Sequence, residues 1–158
     1  MTTHELINQL QMMYHGVPWY GDSLAEKLNK IAEDEFDKRI DRNTHSIREL
    51  VEHMITWRNY VLEKLDGNED YDIELNSGED WKLIPQNGHR GTTELFDRLK
   101  STQNRLVHKL KEKDDTWLYE QTPGKSYDNL TLLNGVIQHD IYHLGQIGLI
   151  YKLICSQN

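Results

Sequence analysis

From Asn129 to Leu153 the chain reads as one long helix whose apolar stripe carries two histidines. Leu132, Val136, Ile147 and Ile150 recur at helical spacing, and His139 and His143 fall on the same stripe. Residues four apart on a helix lie one above the other, with β-carbons about 5–6 Å apart, so both rings can reach one ion. Imidazoles aimed into a core need hydrogen-bond partners or a metal. The fold must therefore bring suitable groups from elsewhere in the chain to this one helix face.

The other segments have matching patterns. Thr3 to Tyr14 places Leu6, Ile7, Leu10, Met13 and Tyr14 on one stripe; Gly16, Pro18 and Gly21 interrupt it around His15, Trp19 and Tyr20, and it resumes from Ser23 through Leu24, Leu28 and Ile31. Ser46-Ile47-Arg48-Glu49 predicts a capping box that opens a second helix. That helix runs to about Leu65, with Ile47, Leu50, Val51, Met54, Trp57, Val61 and Leu62 inward, and stops at Asp66-Gly67-Asn68. A third runs from Thr92 to about Lys113 on Leu95, Phe96, Leu99, Leu106, Val107 and Leu110. Between them, Asn68 to Gly91 is a long acidic loop in which Trp81 and Leu83 are expected to pack down. No β-alternation, repeat or low-complexity tract is present. Four such stripes predict an all-α four-helix bundle, a single domain over residues 1–158.

Charge and composition exclude some partners. Eighteen basic against 26 acidic residues give a net charge of −8, which repels nucleic-acid phosphates and anionic lipid. No apolar run spans a membrane and no leader pattern precedes the first helix, so a cytoplasmic protein is expected. The single cysteine, Cys155, precludes an internal disulfide and is read as a passive thiol.

For a third ligand beside His139 and His143, His53 is the candidate, since it lies on the inward flank of another long helix. A hydrogen-bonded core histidine is the competing reading of that position. Three histidines and no further ligand make an open, reactive metal site, whereas structural zinc sites are closed, mostly by cysteines. His4, His15, His89 and His108 read as solvated or loop residues, and His45 as packed at a helix start. Trp19, Tyr20 and Trp57 are candidates to wall a pocket. Gln146 shares the ligand face, and Glu49 either orients His53 as an outer carboxylate or serves its capping box.

Four stretches in order carry a family resemblance: Gly16-Val17-Pro18-Trp19-Tyr20-Gly21-Asp22-Ser23-Leu24, His45 through Met54 with Trp57, Asp80-Trp81, and Ile137 through Ile147. Together the sequence resembles the DinB/YfiT-like family of four-helix-bundle metalloproteins. One departure is Tyr20, where similar sequences often carry His. The resemblance implies a divalent transition metal on His53, His139 and His143, with zinc or nickel ahead of iron or manganese, and a homodimer. It also implies a small-molecule substrate and, in some relatives, a low-molecular-weight thiol such as bacillithiol or mycothiol as cosubstrate. The expected function is a metal-dependent enzyme, either a thiol-dependent S-transferase acting on small electrophiles or a hydrolase. The alternative is a non-catalytic metal-binding or stress-response protein.

Overall fold

The computed structural model describes residues 1–82 and 91–156; Leu83 and His89 lie outside the described residues. Five α-helices account for most of the described chain: α1 (Thr3–His15), α2 (Leu24–Asn29), α3 (Ile47–Leu65), α4 (Thr92–Lys111) and α5 (Asn129–Ser156). Two short 3-10 turns, Glu33–Glu35 and Thr116–Tyr119, lie in the connections, and one isolated bridge joins Gln121 to Asp128. Among the described residues there is no β-strand, so the fold is all-α.

Local chemistry sets the helix ends. The Ser46 hydroxyl accepts from the Glu49 amide at 3.3 Å while Glu49 Oε2 accepts from the Ser46 amide at 2.8 Å, the reciprocal cap that the sequence predicts. A second capping box, Thr2 with Glu5, starts α1. At the end of α3, Gly67 takes the left-handed conformation (φ 87°) that glycine adopts without strain. The last helix runs to Ser156, beyond the expected Leu153, because Ile154 is still buried. Gly124 also has positive φ, and an added β-carbon would stand 2.3 Å from the Glu69 carbonyl oxygen, so only glycine allows these two connections to touch.

Four of the helices are long. Helix α3 packs against α4 and α5, α1 packs against the same two, and α2 lies on α1 and α5. Their apolar faces bury two separate clusters. One gathers Leu6, Leu10, Val61, Leu65, Leu106, Leu110, Leu133 and Val136; the other gathers Met13, Leu24, Phe36, Val51, Met54, Leu95, Leu99 and Ile147. Between them runs a polar layer. It contains Arg58 on α3, Thr102 and Gln103 on α4, and Asp140 on α5, together with the histidines described below.

The centre of that layer is an ion pair with both side chains fully buried: Arg58 Nε donates to Asp140 Oδ2 at 2.8 Å. Arg58 Nη1 reaches Gln103 Oε1 at 3.0 Å, and the guanidinium lies 5.6 Å from the centre of the Tyr14 ring. A buried charge that loses its partner is strongly unfavourable, whereas a pair near solvent contributes little. Arg58→Ala should therefore lower unfolding stability by about 3–5 kcal/mol in urea titration. Arg98→Ala, which breaks the half-exposed pair with Glu52, should cost no more than about 1 kcal/mol. Equal effects would show that the polar layer is solvated in solution.

Candidate metal centre

His53 projects from α3, and His139 and His143 project from successive turns of α5, so the packing of these two helices brings the three rings together. His139 Nε2 lies 3.0 Å from His53 Nε2 and 3.1 Å from His143 Nε2. His53 and His143 are buried, at 6% and 5% exposure, and His139 is half-buried. Two nitrogens bonded to one ion at about 2.0–2.1 Å stand about 2.9 Å apart at a right angle and about 3.4 Å apart at the tetrahedral angle. The observed separations fall in that interval. Among the described residues this is the one group of three that can hold a metal ion.

The outer nitrogens determine what the inner ones present. His53 Nδ1 faces two oxygens of Asp80, the backbone carbonyl at 3.1 Å and Oδ1 at 3.0 Å, so in a neutral ring it carries the proton. His143 Nδ1 donates to Gln146 Oε1 at 2.6 Å, and Gln146 Nε2 in turn donates to the Tyr142 hydroxyl at 3.0 Å. His139 Nδ1 lies 3.6 Å from Asp140 Oδ1, and each of these two atoms is buried without a hydrogen bond. A proton on Nδ1 of His53 and of His143 leaves a lone pair on Nε2 of each. These lone pairs face His139 Nε2 at 3.0 and 3.1 Å, so the three inner nitrogens converge where one cation can be shared among them.

Electrostatics favour the uncharged form of His53 and His143. Burial, reinforced by the neighbouring His139, pushes the His143 pKa down to about 4. Burial is also the main cause of the lowered pKa of His53, opposed by the hydrogen bond to Asp80. Neutral imidazole is the form that binds a metal.

One wall of the site comes from a loop. Asp80 is buried, accepts from Trp57 Nε1 and from the Asn76 amide, both at 2.8 Å, and so anchors the loop to α3. Trp81 then stacks flat on His53, with ring centres 3.9 Å apart, and on its other face against His45 at 3.7 Å. The resulting sandwich fixes the plane of the His53 ring. Beside the histidines opens a cavity of about 420 Å³ with walls from Trp57, Tyr60, Val61, Tyr127, Leu132, Val136 and Tyr142.

The sequence candidates divide accordingly. The structure brings His53, His139, His143 and Trp57 to the cavity, and Gln146 behind His143. Trp19 is fully exposed and stands outside it, and Tyr20, on the same connection, is also exposed and does not line it. Glu49 does not reach His53. It closes the cap of α3 and pairs with Arg39, and the carboxylate on His53 belongs to Asp80. The roles of Asp80 and Arg58 are not visible in the sequence, because each acts across a sequence gap that no periodicity spans. Only the Asp-Trp pair at 80–81 gave a signal for the first.

The depressed histidine pKa values set a pH dependence for the metal-free protein. Below about pH 6.5, the ordinary histidine pKa, the unfolded chain takes up a proton that folded His143 refuses until about pH 4, and His53 acts in the same direction, so stability falls with acidification across this window. The slope per histidine is at most about 1.4 kcal/mol per pH unit. Urea midpoints measured between pH 7 and pH 4 should show it, and His143→Gln should flatten it. An unchanged slope in that variant would refute the assignment.

Comparison with curated proteins and with solved structures gives no match. Comparison with protein families gives one, a profile described as the DinB family, which aligns with residues 1–154. An all-helical chain that joins a histidine of α3 to a His-x-x-x-His pair of α5, matched over nearly its whole length, belongs to the DinB family.

Proposed function

We propose that this DinB-family protein is a metal-dependent enzyme. His53, His139 and His143 would hold one divalent transition ion, zinc or nickel ahead of iron or manganese, and the cavity beside them would take a small-molecule substrate. The convergence of three Nε2 atoms at the edge of that cavity carries the reading. When bound, such an ion supplies Lewis acidity, so that a water or thiol in contact with it gives up its proton near neutral pH. Thiol transfer to a small electrophile, with a low-molecular-weight thiol as cosubstrate, is placed ahead of hydrolysis, in keeping with the family resemblance.

The chain's own residues fit an open site. A structural zinc centre closes all four positions, mostly with cysteine. Cys155 is exposed and lies twelve residues beyond His143 on the same helix, about 18 Å along its axis, too far to serve. Asp80 and Gln146 hold two of the rings by their outer nitrogens, so those two ligands are oriented before a substrate arrives. Trp81 and Trp57 keep water from one side of the rings.

The four long helices are read as the four-helix bundle, with α2 as an accessory turn. The exposed apolar residues Val17 and Trp19 before α2 and Tyr142, Leu149 and Leu153 on α5 suit a homodimer contact. No helix among the described residues is long and apolar enough to cross a membrane, and a single exposed cysteine accords with a cytoplasmic setting.

A second reading has one observation in its favour. Among the described residues, no carboxylate or lysine lines the cavity, so a general base would have to be a histidine or tyrosine. In that reading the ion ties α3 to α5 and the protein turns nothing over. Protein purified without a polyhistidine tag should contain about one divalent ion per chain by elemental analysis, and His143→Ala should lower that at least about tenfold with helix content retained. Turnover of an electrophilic reporter with added thiol, lost in the same variant, supports the enzyme. Metal content without turnover of either thiol or ester substrates supports the second reading, and absence of metal from the native protein refutes both.

A further inference from the structure

The cavity beside the histidines carries information about what enters it. Its walls are largely aromatic, and part of their polar capacity is already engaged. The Tyr142 hydroxyl accepts from Gln146. Trp57 spends its indole N–H on Asp80. Such rings offer a visitor mainly their apolar faces. Burial holds the Tyr60 phenol far above its ordinary pKa, so it stays uncharged.

Charge is handled in the same way. No lysine, arginine, aspartate or glutamate lines the cavity among the described residues. Two ammonium groups lie close behind its wall, Lys64 at 5.6 Å and Lys125 at 5.8 Å from the centre of the Tyr60 ring, and neither is available. Lys64 donates to the carbonyls of Asn68 and Glu69, at 3.0 and 2.9 Å, and Lys125 pairs with Asp72 at 2.6 Å. A charged group pressed against these walls would therefore lose hydration without gaining a counter-ion. The one place where negative charge is welcome is the histidine trio, because three neutral imidazoles do not neutralise a divalent ion.

From this distribution we infer that the cavity selects a ligand with one anionic donor atom, such as a thiolate, at the histidine end and an uncharged aromatic or similarly apolar body against Trp57, Tyr60 and Tyr142. The inference rests on the metal reading above and specifies the substrate class for that site. A volume of about 420 Å³ accommodates one substituted aromatic ring with room to spare. Gly135 lines the cavity on α5, and a β-carbon added there meets nothing within 4 Å, so the position can be filled without disturbing the helix.

The test uses two thiols of nearly equal shape on the full-length protein loaded with Co(II): 4-methylbenzenethiol, with a neutral far end, and 4-mercaptobenzoate, with a carboxylate there. Each binds as its thiolate and releases its proton to the buffer, and binding is read from sulfur-to-cobalt charge-transfer absorption. The neutral thiol should bind at least about tenfold more tightly. Gly135→Phe should weaken 4-methylbenzenethiol by about tenfold while the visible spectrum and affinity of Co(II) itself stay as in the parent. Equal affinities for the two thiols, or unchanged binding in Gly135→Phe, would overturn the inference and leave the metal site standing. Failure to take up Co(II) would instead overturn the metal reading.

Discussion

The fold is organised around a requirement that its own core creates: a layer of buried polar groups between two apolar halves must be satisfied from within. The fully buried pair Arg58–Asp140 anchors that layer. It joins α3 to α5, and through Gln103 and Thr102 it reaches α4. A pair of this kind is costly to desolvate and adds little net stability, but either partner alone is far worse. It therefore fixes register. Sliding α3 along α5 by one turn would separate guanidinium from carboxylate and would also separate His53 from His139. The packing that satisfies the ion pair is the packing that assembles the histidines.

A second constraint comes from a segment without regular structure. The loop after α3 places Asp80 and Trp81 on the outer side of His53, one supplying oxygens to Nδ1 and the other stacking on the ring. Across the site, Gln146 does for His143 what Asp80 does for His53. His139 stands differently, with Nδ1 3.6 Å from Asp140 Oδ1 and neither atom hydrogen-bonded. A shift of well under 1 Å closes that gap to a normal hydrogen bond, so the carboxylate that holds Arg58 is also placed to hold the third ring. Neutral rings oriented from behind are the condition for binding an ion from the front.

The histidine pair on α5 was legible in sequence because a helix has a fixed period: residues four apart share a face whatever the rest of the chain does. The same reasoning exposed the capping box at Ser46 and Glu49 and the stripes of the long helices. It failed where contact depends on chain segments meeting. Trp19 is aromatic and sits at a helix break, yet it is fully exposed, because the break turns it outward. Glu49 has the right spacing from His53, but the capping amide and Arg39 claim it first. Asp80 stands 27 positions from His53 in a stretch with no periodicity, so nothing local announces that it touches the ring.

The sequence alone therefore determined the helices, their inward faces and which histidines point inward, since these follow from backbone geometry and local hydrogen bonding. The tertiary structure alone decided that the three rings share one point, that Asp80 and Gln146 hold two of them, and that the adjoining cavity is aromatic and free of charged side chains among the described residues. The reason is physical. Period and capping act over a few residues, while burial, convergence of ring nitrogens and removal of counter-charge exist only once distant segments have excluded water together.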